Sequence, residues 1–163
     1  MAQNVPFDQI TARKVTEAAE LTLPAIARNF GSMEGLFVHV ADVLFRRSIE
    51  SNGLVKDLRL IVDDNFVLRT RLIAWMIAEG SDPNVFEIPN IRDTVTSFQA
   101  ELGNVGSHTV EIWIKLLSLL VEGYIIFGDV HHTTEKDFAD GVSMVVAIRE
   151  MLDELEKRLG WKS

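Results

Sequence analysis

The stretch LTLPAIARNFGSMEGLFVHVADVLF, residues 21–45, decides the fold that we predict for this chain. Thr22, followed by Leu23-Pro24, is typical of a helix N-cap with proline in the first helical turn. Gly31 is the residue type that relieves strain directly after a helix C-terminus. The pattern therefore predicts a short helix between Thr22 and Gly31.

Two further short helices are expected on either side of this one. After Gly31, the pattern predicts a third short helix over 33–38, before a fourth helix opens at Asp42. Before Thr22, the segment 7–19 carries apolar residues that fit one helical face imperfectly: Phe7, Ile10, Val15, Ala18 and Ala19. Three short helices in a row predict a small helical head.

The second and third of these helices have the pattern of a helix-turn-helix pair. Such a pair needs a small residue where the helices touch, a glycine in the turn and apolar residues that face the shared core. Ala27 lies four residues before Gly31, and Phe37 and Val40 lie six and nine residues after it. The alternative is a helical corner that has no role in binding nucleic acid.

The rest of the chain predicts longer helices separated by turns. Apolar residues recur at helical spacing over 53–80, as one long helix or as two stacked ones that meet at 63–65. Pro83 marks a turn, and a helix follows over 91–102. Two strongly apolar helices are expected over 109–127 and 134–159.

The last two helices have broader apolar arcs than a single core requires. A surface helix packs on its core through a stripe about 100° wide. On the helix 109–127, the polar residues form only one narrow stripe: Glu111, Lys115, Ser118 and Glu122. We therefore expect a homodimer formed through the two C-terminal helices as a four-helix bundle.

Composition limits the class of protein. The 163-residue chain has no cysteine, which excludes disulfides and thiolate metal sites, and indicates a reducing compartment. We find no signal peptide and no apolar run long enough to span a bilayer, so we expect a cytoplasmic protein that does not associate with membranes. The net charge is −8, of which residues 1–52 contribute −1 from five basic and six acidic side chains.

These observations predict an all-α fold with two domains. The first, residues 1–52, is a three-helix helix-turn-helix head. The second, residues 53–163, is a larger helical body that dimerises.

The segment 21–45 resembles the head of the TetR family of transcriptional regulators. The resemblance rests on Leu21-Thr22 leading into Ala25-Ile26-Ala27, then Phe30-Gly31 and the segment Phe37-Val38-His39-Val40. The two apolar C-terminal helices also look like the dimerising body of that family. The resemblance implies a head that binds operator DNA as a dimer, and a body that holds a small apolar or amphipathic effector.

The resemblance also implies which residues meet double-stranded DNA. Five of them would line the groove: Ser32, Met33, Glu34, Gly35 and His39. Thr22 and Arg28 would lie near the DNA backbone. Glu34 is a carboxylate at a place where phosphates or bases are expected, and the body is acidic.

Large side chains in the body are candidates for the wall of an effector pocket, although each of them also suits a hydrophobic core. The candidates are Phe66, Trp75, Met76, Phe98, Trp113 and Tyr124. A metal site at His131-His132 is disfavoured, because adjacent histidines on a polar loop usually point apart. The sequence shows no nucleophile with a base and no phosphate-binding glycine loop, so we expect no catalytic residues, no metal and no cofactor.

The first hypothesis is therefore a ligand-responsive transcriptional regulator, a repressor, that binds operator DNA as a homodimer. The alternative is a TetR-like carrier of small molecules or lipids, or an interaction protein, that has lost DNA binding. The acidic charge favours the alternative. An enzyme is the third class, and no motif supports it.

Overall fold

Helices make up the regular structure of this protein. The computed structural model describes residues 6–20, 22–52, 63–86, 96, 100 and 102–161, and within these ranges it contains no strand. The helices are α1 (Ala12–Ala19), α2 (Leu23–Phe30), α3 (Met33–Asn52), α4 (Asp64–Ala78), α5 (Ser107–Phe127), α6 (Glu135–Arg149) and α7 (Leu152–Leu159). Short 3₁₀ turns lie at Phe7–Gln9 and Pro83–Val85. The predicted all-α class is confirmed.

The described helices fall into two compact units. The first contains α1 to α4, and the second contains α5 to α7. The first unit extends past the predicted head, residues 1–52, because α4 packs against α3 and shares its core. The functional division at residue 52 stays a prediction.

The first helix begins later than its apolar pattern predicts. Residues 7–9 form a 3₁₀ turn, Ile10 is extended, and α1 starts at Ala12. The Thr11 side chain caps the helix by accepting a hydrogen bond from the Lys14 backbone N–H at 3.3 Å. This break explains why the segment 7–19 fits one helical face imperfectly.

The predicted ends of α2 are confirmed, whereas the predicted division of α3 is wrong. Thr22 occupies the N-cap position in an extended conformation, and Gly31 follows α2 with a φ of 74°. α3 continues through Asp42, where a fourth helix was expected to open. The Asp42 carboxylate accepts a hydrogen bond from Arg46 one turn later, at 2.6 Å, so it supports the helix interior instead of capping a new helix.

The core of the first unit forms between α3 and α4. Ala41 of α3 is buried against Leu72 and Met76 of α4. Around them, the Trp75 ring lies 5.7 Å from that of Phe7 and 5.5 Å from that of Phe37, measured between centroids. The 3₁₀ turn before α1 is thereby anchored to the α3–α4 pair.

α4 begins where the sequence suggested a joint. The Asp63 carboxylate caps it by accepting a hydrogen bond from the Phe66 backbone N–H at 2.8 Å. The preceding part of the predicted 53–80 segment lies outside the described residues, as does most of the predicted helix 91–102.

In the second unit, aromatic side chains join α5 to α6. The indole N–H of Trp113 donates to the backbone carbonyl of Val145 at 2.8 Å. The Tyr124 and Phe138 rings stack with centroids 4.1 Å apart. Trp113 is buried, so its hydrogen bond and its packing both hold these two helices together.

A buried carboxylate ties α7 to the start of α5. Glu156, which is 2% exposed, accepts hydrogen bonds from the Gly106 backbone N–H at 2.9 Å and from the Thr109 hydroxyl at 2.6 Å. A Cβ on Gly106 would lie 2.5 Å from a Glu156 carboxylate oxygen. A residue without a side chain therefore suits position 106.

The predicted last helix, 134–159, is two helices. Its start is as expected, since Thr134 and Asp137 form a reciprocal capping box, and the hydrogen bonds from Thr134 lower the pKa of Asp137. The helix breaks at residues 150–151, where the sequence has neither glycine nor proline. The break accompanies the tertiary contact of Glu156 with α5, which a hydrophobic pattern does not encode. In the described ranges, we find no helix that combines the length and apolarity needed to cross a bilayer.

Candidate functional site

The predicted DNA-binding residues lie on what we call the α2–α3 corner: Thr22, α2, Gly31, Ser32 and the first two turns of α3. The Ser32 hydroxyl caps α3 by accepting a hydrogen bond from the Gly35 backbone N–H at 3.0 Å. A Cβ on Gly35 would overlap the carbonyl oxygen of Phe30, the last residue of α2. Ser32 and Gly35 therefore have structural roles in shaping the corner.

The remaining predicted DNA-binding residues differ in exposure. Thr22, Arg28, Glu34 and His39 are exposed, whereas Met33 is half-buried. The His39 ring lies 5.2 Å from the ring of Phe30, between centroids. Five residues separate Glu34 from His39, so the two side chains leave α3 about 140° apart. They do not share one face of the helix.

The charge of the corner is balanced. Arg28 and Glu34 are its charged residues between positions 22 and 39, and their formal charges cancel. Binding to DNA phosphates depends on a local excess of lysine and arginine. The corner therefore has the shape of a recognition element without a strong electrostatic attraction.

A cavity of about 410 Å³ lies beside the corner, inside the first unit. This volume falls within the range of about 300–1,000 Å³ that is typical of small-molecule pockets. The lining is apolar apart from one lysine, and consists of Phe7, Ile10, Lys14, Val15, Ala18, Ala19, Leu36, Phe37, Val40 and Leu72.

The cavity and the corner share α3. Leu36 and Phe37 belong to the corner, directly after Gly35, and they also line the cavity. Among the other lining residues, Ala18 and Ala19 of α1 are exposed, while Leu72 of α4 is only 2% exposed. The cavity therefore runs inward from the surface of α1 to the core of the unit.

The predicted ligand-binding residues do not line this cavity. Phe66, Trp75 and Met76 belong to the first unit, where Trp75 contacts the lining residues Phe7 and Phe37. In the second unit, Trp113 is buried and Tyr124 stacks on a neighbouring ring, as described above. Phe98 lies outside the described residues. An effector pocket in the body stays a prediction.

Sequence reasoning missed the cavity because it assigned the residues of segment 7–19 to a single helix. The imperfect apolar face of that segment indicated that it is not one helix, but it did not indicate a cavity.

His131 and His132 lie at the end of the turn 128–132, and both residues are exposed. His132 has a φ of 52°, which is uncommon for a residue with a side chain. The described residues contain no cluster of three His, Asp or Glu side chains suited to a metal ion.

Two exposed apolar stripes lie on the second unit. On α5, the stripe consists of Leu116, Leu119 and Phe127, which are 52%, 66% and 55% exposed. On α6 and just after it, the stripe consists of Met144, Ile148 and Met151. These residues are part of the broad apolar arcs from which the sequence predicts a dimer.

Comparison of the chain with protein-family models, with curated proteins and with solved structures finds no match.

Proposed function

We propose that this protein is a ligand-responsive transcriptional regulator, a repressor, whose α2–α3 corner contacts operator DNA. The observation that carries the proposal is the shared helix: α3 forms part of the corner and also one wall of an apolar cavity. A small apolar molecule in the cavity acts directly on the helix that would meet DNA.

The regulation follows from the position of the cavity between α1 and α3. A molecule that fits only one spacing of these helices shifts the population towards that spacing, by its difference in affinity for the two states. Two corners in a homodimer reach successive major grooves when they are about 34–36 Å apart. A change in the position of α3 would alter this match and thereby the affinity for the operator.

The proposed homodimer uses the exposed apolar stripes of α5 and α6. Burial of such stripes against a second copy removes apolar surface from water, which favours association. We expect the purified protein to sediment as a dimer at micromolar concentration. Leu119→Glu and Met144→Glu should each raise the dimer dissociation constant about tenfold or more, because each places a charge in the interface.

Ala139→Glu provides the control for this experiment. Ala139 is an exposed residue of α6, and the substitution adds the same charge away from the apolar stripe. It should leave the dimer intact. Sedimentation velocity of the three variants and the wild type is the measurement, and a monodisperse wild-type monomer would contradict the proposed dimer.

DNA binding is tested through the charge of Glu34. If the corner faces DNA, Glu34→Lys removes a repulsive carboxylate and adds a phosphate contact. The slope of log affinity against log salt should then steepen by about 1. Glu79→Lys makes the same charge change at an exposed position after α4 and serves as the control. The measurement is fluorescence anisotropy with a labelled duplex from the DNA upstream of the coding sequence, at several salt concentrations.

The outcome of the DNA experiment also decides the alternative function. A carrier of apolar molecules needs the cavity and no DNA contact, and the balanced charge of Arg28 and Glu34 favours that alternative. The carrier would be supported by two results together. The wild type would not bind DNA at low salt, and Glu34→Lys and Glu79→Lys would show the same slope of log DNA affinity against log salt. A selective effect of Glu34→Lys would support the regulator.

A further inference from the structure

We propose that the cavity of the first unit takes an amphipathic molecule with a hydrocarbon chain and an anionic head, such as a fatty carboxylate, and that Lys14 binds the head. This inference rests on the proposed ligand binding in that cavity, and it specifies the class of ligand. It does not depend on whether the α2–α3 corner contacts DNA.

The lining of the cavity selects an apolar chain. Nine of the ten lining residues are alanine, valine, leucine, isoleucine or phenylalanine, and their side chains offer no hydrogen-bonding group to a ligand. A polar molecule in this cavity would lose its hydrogen bonds to water without replacement. A hydrocarbon chain loses none and gains from burial.

Lys14 is the one charged residue among those that line the cavity. It is an exposed residue of α1, four residues before Ala18, and both residues line the cavity. The neighbouring charged residues pair with each other, because the Arg13 guanidinium donates to the Glu17 carboxylate at 2.8 Å. In the described part of the chain, no carboxylate pairs with the Lys14 ammonium.

The arrangement therefore places a cation beside water and an apolar wall behind it. An ionised fatty acid is complementary to this arrangement. It has a carboxylate that stays in contact with water, followed by a hydrocarbon chain that avoids water. An ammonium and a carboxylate attract each other and can share a charge-assisted hydrogen bond. Lys14 is thus the determinant of preference for an anionic head over a neutral one.

Isothermal titration of the full chain with decanoate, octanoate and decanol tests the proposal. Decanoate should bind about fifteenfold more tightly than octanoate, because each buried methylene contributes about fourfold in Kd. Lys14→Gln should weaken decanoate binding about fivefold, the effect of losing one exposed ion pair. The same variant should leave the affinity for decanol within about twofold, since an alcohol carries no charge.

Two further variants locate the site. Arg13→Gln removes the same charge from the neighbouring position, which does not line the cavity, and should change neither affinity. Ala18→Trp fills the surface end of the cavity and should abolish binding of both decanoate and decanol. Circular dichroism confirms that each variant retains its helices.

Each outcome separates this inference from the proposed function. If decanoate and decanol bind with equal affinity and Lys14→Gln changes neither affinity, a preference for an anionic head is excluded. The proposal that the cavity binds an apolar ligand then still stands. If Ala18→Trp leaves binding intact, or if no compound binds, the cavity is not the site and the inference is overturned. The DNA experiment with Glu34→Lys is independent of all these results.

Discussion

Trp113→Ala should lower the free energy of unfolding of the second unit by about 3–5 kcal/mol, the usual cost of truncating a large buried aromatic residue. Trp113 is buried between α5 and α6, and its indole N–H donates to the Val145 carbonyl. The substitution leaves a cavity in the core and removes the side-chain hydrogen bond to that carbonyl. Small domains have a stability of only about 5–15 kcal/mol, so the loss is a large fraction of the whole.

Two other substitutions separate the parts of this effect. Trp113→Phe keeps most of the packing and removes the hydrogen bond, so it should cost about 1 kcal/mol beyond the volume that it loses. Trp161→Ala is the matched control, because Trp161 is 44% exposed and contacts only the His108 ring among the described aromatic pairs. It should cost less than about 1 kcal/mol. Urea denaturation followed by circular dichroism gives all three values, and equal losses for Trp113→Ala and Trp161→Ala would contradict the packing that we describe.

Gly35→Ala should destabilise the first unit by about 1–3 kcal/mol, the range expected when an added group forces the backbone to move. The added Cβ would overlap the Phe30 carbonyl oxygen, which belongs to the backbone and cannot rotate away. The α2–α3 corner must open to relieve the collision. Any function of the corner, including DNA binding, should then be lost even where the protein remains folded.

The sign of this effect is informative because helix propensity predicts the opposite. In an unobstructed helix, replacing glycine with alanine stabilises by about 1 kcal/mol. Gly123→Ala is the control, since it lies inside α5 and an added Cβ would meet no atom within 4 Å. We expect Gly123→Ala to raise the urea midpoint and Gly35→Ala to lower it. A stabilising Gly35→Ala would show that the corner is more open than the structure indicates.

Helix ends were predictable from sequence where a residue type has a strong local preference. Pro24, Gly31 and the Thr134–Asp137 pair marked their helix ends correctly, because each acts through its own backbone or within one turn. Asp42 was misread as the start of a helix, since an aspartate also fits a helix interior when an arginine follows one turn later. The two uses of aspartate differ only in backbone conformation, which the sequence does not specify.

The candidate sites were harder to predict. The residues of the α2–α3 corner could be named in advance because they are consecutive and because a glycine marks the turn. The cavity could not, since its walls come from three parts of the chain: the segment 7–19, the start of α3 and Leu72 of α4. Hydrophobic periodicity indicates which side of a helix is apolar but not which residues that side faces.

The sequence by itself therefore determined the all-α class, the positions of most helix ends and the apolar surplus on the last two helices. These properties depend on local conformational preference and on the fraction of apolar side chains. Only the tertiary structure decided that α4 belongs with the first three helices, that Glu156 holds the start of α5 and that an apolar cavity lies against α3. Such features arise from contacts between residues far apart in the chain, where packing volume and hydrogen-bond geometry outweigh local preference.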